Sequence, residues 1–237
     1  MRLREPGWAL GCPRTQDVGP GVMGVGDLVF QSADVFQAPA VGAEVGLVEQ
    51  CRRGDGTAFA RLVALHERMV YNLATRLLGD PEEARDVSQE VFLQVYRSLG
   101  SFGGRSSLKT WIYRIVVNHC HNRRRWWRRR HRERSCSLEE LCGAEQARLV
   151  APESRGGSPY DALRRRERAE RVQAALLKLS FHHRVVLLLK EVEEMSCEEI
   201  ATALEIAEGT VKSRLARARS ALRRVLEGQP LESRGRS

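Results

Sequence analysis

SCEEIATALEIAEGTVKSRLARAR, residues 196–219, decides the fold. It reads as two short helices joined by a tight turn, the second one basic. Ser196 stands where an N-cap accepts from the first turn, and Glu199 sits three residues on, where a capping box closes. Ile200, Ala201 and Leu204 form the inner face of the first helix. Ile206 closes the turn, and Val211 and Leu215 give the second helix its buried side. The other face carries Thr210, Lys212, Ser213, Arg214 and Arg217. That layout fits a helix-turn-helix whose second helix enters a DNA major groove. It also fits an ordinary helical hairpin with a solvated charged face.

The bulk numbers favour the first reading. A chain of 237 residues allows one or two small domains. Lys and Arg total 39 against 30 Asp and Glu, a net charge of +9. A basic excess points to a polyanionic partner, nucleic acid before membrane. No apolar run of about eighteen residues is present, so stable membrane insertion is not expected. Arg2 and Arg4 precede no sustained apolar segment, which argues against a signal peptide. The six cysteines show no CxxC pairing and read as reduced thiols.

Working upstream, helical signal is dense. Ala58, Phe59, Leu62, Val63, Val70, Leu73, Ala74, Leu77 and Leu78 recur at helical spacing, and Gly79 ends the run. Asp80-Pro81-Glu82-Glu83 starts another helix: Asp80 caps, Pro81 suits the first helical position, and the acids complement the helix dipole. Its apolar stripe is Ala84, Val87, Val91, Phe92, Val95 and Leu99. After a loop at 100–107, a third helix begins near Leu108 with Trp111, Ile112, Ile115 and Val116, Trp111 reading as core. Residues 123–134, RRRWWRRRHRER, contain eight Arg in twelve positions. They read equally as a phosphate clamp, a solvated helix extension or a basic arm. Gly, Ser and Pro then dominate to residue 161. Periodicity returns with Val172, Ala175, Leu176 and Leu179, and Val185–Leu189 is apolar nearly all round, which marks a buried helix. No strand pair or hairpin signal competes. The expected fold class is all-α: two small helical domains joined by a flexible linker, the C-terminal one a helix-turn-helix.

Two blocks together carry a family resemblance. The first is DPEEARDVSQEVFLQVYRSLGSFGGRSSLKTWIYRIVVNHCHNRRR, residues 80–125; the second is 196–219 with the helix before it. SLKTWIYRI after an acidic amphipathic helix, followed later by EEIA and GTVKSRLARAR, resembles the extracytoplasmic-function class of bacterial RNA polymerase sigma factors. The resemblance implies a region 2-like domain at 44–125 and a region 4-like domain at 162–228. It leaves an extension at 1–43, a basic-then-acidic linker at 126–161 and a tail at 229–237. Met23 is an alternative start.

The roles implied are specific. Asp86, Gln89 and Glu90 would dock on the clamp helices of core RNA polymerase, although a solvated face is the commoner fate of such residues. Phe102, Arg105, Ser106, Ser107 and Lys109 would take up a base leaving the stack at the minus-ten element, where flipping costs a few kcal/mol and aromatic stacking returns roughly 1–3 kcal/mol per base. Arg114 and Asn118 would meet the duplex edge. At the minus-thirty-five element Lys212, Ser213, Ala216 and Arg217 would face bases. Thr210, Arg214, Arg219 and Arg184 would hold phosphates, fixing register without reading sequence. Promoter DNA, core RNA polymerase and an anti-sigma protein are the implied partners, and the cytoplasm the implied location. Two departures stand out: Glu205 where the turn usually has Gly, and Ala207 where it has a Ser cap.

No cofactor is expected. His119, Cys120, His121, His131, Cys136 and Cys142 match no usual zinc spacing, so no metal site is expected either. No Walker loop, HExxH or convergent carboxylate cluster supports an enzyme. A stand-alone helix-turn-helix activator remains the alternative; it explains 196–219 and gives the acidic helix no task.

Overall fold

The computed structural model describes residues 41–133 and 159–228. Among them every regular element is helical: α1 (Val41–Arg52), α2 (Gly56–Leu78), α3 (Pro81–Ser98), a 3₁₀ turn (Leu99–Ser101), α4 (Leu108–Glu133), α5 (Pro159–Lys178), α6 (Phe181–Glu191), α7 (Cys197–Leu204) and α8 (Glu208–Leu226). The sequence-based expectations for 1–40, 134–158 and 229–237 lie outside the described residues.

Local chemistry sets the element ends. Asp55 caps α2 by accepting from Thr57 N and Ala58 N. Asp80 caps α3 in the same way, with Pro81 at the first turn. Gly79 ends α2 at φ 81, and its N–H donates to the Thr75 carbonyl at 2.7 Å. Two constraints meet there. The conformation is left-handed, and a Cβ would lie 2.6 Å from Leu177 Cδ1 of α5.

Helices α1–α4 form the first module. Leu62, Val70, Leu73 and Leu77 of α2 meet Val87, Val91 and Val95 of α3 and Ile112, Tyr113 and Val116 of α4, all buried. Helix α4 runs 26 residues, about 39 Å at 1.5 Å per residue. Its first half is core. Its second half continues as helix through 126–133, where a linker was expected, because one apolar stripe gives way to Arg without a Gly or Pro to stop it. Trp111 is half-buried, as its spacing suggests, and its ring lies 5.2 Å from that of Phe102.

Helices α5–α8 form the second module around α6, whose Val185–Leu189 run is buried throughout. In α7 the inward positions are Ile200 and Ala203; Ala201 and Leu204 pack at the margin. The helix turns the stripe by about one position relative to the sequence-based assignment.

The two modules share a seam. Arg184, expected at DNA phosphate, is 3% exposed. Its Nε donates to the Leu176 carbonyl at 2.8 Å and its Nη2 to Leu177 at 2.6 Å, both in the last turn of α5. Its Nη1 donates across the seam to the Leu77 carbonyl of α2. Gln173 adds a longer bond, 3.3 Å, to the Arg76 carbonyl. Burial, with a smaller push from Arg124, brings the Arg184 pKa down to about 10, so the group stays charged near neutrality. The correction has a physical cause: helix ends expose carbonyls that need donors, and one guanidinium serves two ends at once. Arg184→Met keeps most of the volume but orphans these carbonyls. It is expected to cost about 3 kcal/mol, read as a lower urea midpoint with an unchanged slope.

Candidate polymerase and promoter interfaces

Helix α3 turns Asp86, Gln89 and Glu90 outward, opposite its buried Ala84, Val87 and Val91. They form one row at helical spacing. Glu90 differs from the other two. It pairs with Arg123 at 2.7 Å and sits 3.4 Å from His119, while Glu83 holds the same Arg123 at 3.1 Å. Part of the acidic face is therefore tied to α4.

The loop before α4 is braced from α1. Arg52 donates through Nε to the Leu99 carbonyl at 3.3 Å, and through Nη2 to that of Phe102. Phe102 is half-buried; Arg105 is exposed and Ser106 half-buried. Ser107 is exposed, but its hydroxyl accepts from Thr110 N at 3.1 Å and lies 2.8 Å from Thr110 Oγ1. It caps α4 and is less available to a nucleotide than its neighbours. Lys109 is exposed, its Nζ 5.6 Å from the Tyr113 ring centroid. Arg114 and Asn118 lie one turn apart on α4. Asn118 is exposed, whereas Arg114 is clasped at 2.5 Å by Glu205 of the other module's turn.

The capping box of α7 is complete: Ser196 N donates to Glu199 at 2.7 Å, and Glu199 N to Ser196 Oγ at 3.1 Å. Glu205 ends α7 at φ 53, so the turn is left-handed despite lacking Gly. Ala207 caps α8 with no side-chain bond. Helix α8 buries Val211, Leu215, Ala218 and Leu222. Lys212, Ser213, Ala216 and Arg217 form an exposed row on the other side, with Thr210 and Arg214 half-buried at its edge. Lys212 is paired at 2.8 Å with Glu208, and that bond raises its pKa. Arg219 is held at 2.6 Å by Glu191 of α6. Arg214 faces His182 and His183, whose pKa values are lowered by burial and then by cationic neighbours including this one.

Comparison with known proteins follows this division. The sigma-70 region 2 model matches residues 62–133, and the sigma-70 region 4 model matches 169–222. RNA polymerase sigma-H factor of Pseudomonas aeruginosa is 37% identical over 185 residues, covering 78% of this chain and 93% of that protein. ECF RNA polymerase sigma factor SigW of Bacillus subtilis is 35% identical over 184 residues, covering 76% and 94%. The chain belongs to the extracytoplasmic-function sigma factors. A sigma factor directs RNA polymerase to promoters and is not an enzyme, so the resemblance read from residues 80–125 and 196–219 holds. In fold, this sigma factor is similar to RpoE in its complex with the anti-sigma factor NepR from Bartonella quintana, with TM-score 0.54, 25% identity and coverage of 71% and 96%. It also resembles CnrH in complex with the cytosolic domain of CnrY, with TM-score 0.53, 24% identity and coverage of 79% and 99%.

Sequence reasoning missed the ion pairs that cross the seam. Tyr113 of α4 donates its hydroxyl to Glu193, which Arg76 approaches at 3.9 Å. Burial first, then the Glu193 charge, keeps Tyr113 protonated. No helix among the described residues is long and apolar enough to cross a membrane, and none of their His, Cys, Asp and Glu side chains gather in groups of three or more suited to a metal ion.

The left-handed Glu205 is a correctable cost. Glu205→Gly relieves the Cβ clash and loses only an exposed ion pair to Arg114, so the sigma factor is expected to gain about 1 kcal/mol in denaturant unfolding.

Proposed function

We propose that this sigma factor grips core RNA polymerase through the outward row of α3, opens the minus-ten element with the loop before α4, and reads the minus-thirty-five element with α8. The observation that carries the reading is the two-sided build of α8. One row is buried from Val211 to Leu222, and the opposite row offers Lys212, Ser213, Ala216 and Arg217 to solvent. A major groove admits a helix of that kind, and a good bidentate base contact discriminates by about 1–3 kcal/mol. Thr210, Arg214 and Arg219 flank the row and serve phosphates.

In the first module, Phe102 supplies a stacking surface, with Arg105, Ser106 and Lys109 beside it for the displaced strand. Arg114 and Asn118 take the duplex edge, Arg114 once Glu205 releases it. Asp86 and Gln89 make the polymerase contact, and Glu90 contributes while also answering Arg123. The working units are the segments 44–125 and 162–228. The protein acts in the cytoplasm, where polymerase and promoter are. An anti-sigma protein is its regulator; support comes from RpoE, whose structure was solved with the anti-sigma factor NepR.

The test is transcription in vitro with core polymerase and this sigma factor. Specific starts are expected. Lys212→Ala with Arg217→Ala should blur start-site choice while core binding persists; unchanged choice would remove both residues from base reading. Tight sequence-specific binding to free duplex, with no transcription, would instead support a stand-alone activator.

Asp86→Lys isolates the polymerase contact, because among the described residues Asp86 makes no side-chain bond that the reversal would break. Its pull-down of core polymerase is expected to fall about tenfold. An unaltered pull-down would move the docking surface elsewhere.

A further inference from the structure

Helix α4 carries His121, Arg124, Arg125 and Arg128 at spacings of three and four, which sets them on one face. That face looks onto the first turn of α6. Together with Phe181 and His182 it encloses a cleft of about 150 Å³. The packing is close. The His121 ring lies 5.4 Å from the Phe181 ring and 5.7 Å from that of His182, and the Arg124 guanidinium sits 5.6 Å from the Phe181 centroid.

The charge in this cleft is of one sign. Among the described residues no carboxylate pairs with Arg124, Arg125 or Arg128, although Arg123, on the opposite face, holds two. Burial lowers the pKa values of His121 and His182, and every charged neighbour that lowers them further is a cation. For His121 these are Arg125, Arg124 and Arg128; for His182 the permanently charged ones are Arg214 and Arg124. The α6 N-terminus adds to the same potential. Ser180 Oγ accepts from His183 N at 3.4 Å, while the N–H groups of Phe181 and His182 precede the first helical carbonyl they could pair with.

We propose that the cleft between α4 and the N-terminus of α6 binds a phosphate group, and that this anion bridges the two modules. Three properties select the ligand. Guanidinium groups match tetrahedral oxyanions in fork geometry, and a helix N-terminus offers backbone donors to the same anion. The volume is below the roughly 300–1,000 Å³ of pockets that take drug-sized molecules, so it suits one phosphate rather than a whole nucleotide. The ligand must also supply negative charge that the described protein does not. The phosphate comes either from the free anion or from a DNA backbone. The inference does not depend on which residues read the promoter, since transcription from specific starts succeeds or fails independently of it.

Calorimetric titration of the full chain with inorganic phosphate, and separately with a short duplex of random sequence, tests this at ionic strength held constant with chloride. Arg128→Gln and His182→Gln alter opposite walls of the cleft at exposed positions, and Arg129→Gln is an exposed neighbour outside it. Circular dichroism verifies that each variant folds. Saturable phosphate binding is expected, weakened about tenfold by Arg128→Gln and by His182→Gln and kept by Arg129→Gln. If only the duplex shows that pattern, the bound phosphate is a backbone phosphate and the site stands. No saturable binding in either arm overturns the proposal. So does equal weakening by Arg129→Gln, or insensitivity to His182→Gln, because either would reduce the cleft to general charge on α4.

Discussion

One guanidinium holds the two modules in register. Arg184 rises from the first turn of α6 and spends its donors on carbonyls at the end of α5 and on Leu77 at the end of α2. Each helix end alone would need a capping residue or water. Drawing two ends onto one buried cation satisfies them together and excludes water from the seam. Gln173 and Gly79 work to the same end: the amide donates to the last turn of α2, and the missing side chain lets Leu177 close over it. A buried charge is tolerable only when its hydrogen bonds are complete, and here Nε, Nη1 and Nη2 all have acceptors.

Register at the seam decides what the surface groups face. With Leu77 under Arg184, α4 runs beside α7, and the turn after α7 comes level with Arg114. Glu205 then answers Arg114, and Glu193 answers Tyr113. A residue proposed for the minus-ten element, Arg114, thus meets the turn that leads into α8. Arg114 is engaged with the seam and Arg214 is half-buried beside α6, while Asn118, Lys212, Ser213 and Arg217 remain turned to solvent. The exposed row of α8 is therefore continuous in this arrangement, and of the two α4 residues proposed for the duplex edge one, Arg114, is held by Glu205.

What could be read from sequence was local. Asp80 with Pro81, Gly79, and Ser196 with Glu199 are cap signals that act within four residues, and each appears where its chemistry requires. Glu205 and Ala207 stood out only against the family's pattern, and that the turn stays left-handed without Gly comes from the structure. Arg184 was not legible. Near the start of a buried helix, an arginine bound for solvent and one bound for a carbonyl 107 residues away look alike. The second task of Ser107 was not legible either: as a cap three residues before Thr110, its hydroxyl is shared between the helix and any nucleotide. The basic run at 123–134 left a helix extension, a phosphate clamp and a basic arm open, and the linker was expected to start at residue 126. Yet Arg is a good helix former, and nothing in the run stops a helix already under way.

Helix periodicity also explains why that run is not uniformly repulsive. Arg123 turns toward α3, where Glu83 and Glu90 neutralise it, and His119 lies 3.4 Å from Glu90. Arg130 stacks 4.7 Å from the Trp126 ring, which accepts a cation without a counter-charge. His121, Arg124, Arg125 and Arg128 fall on the remaining face, and no acid of α3 reaches them. The side of α4 that meets the second module thus carries the unbalanced charge. Like charges brought into a partly desolvated cleft repel more strongly than they do in water, so closing the seam raises their cost. Arg184 and the carbonyls it binds act against that repulsion. An anion in the cleft would act on the same balance from the other side, because it turns the repelling face of α4 into a second point of attachment.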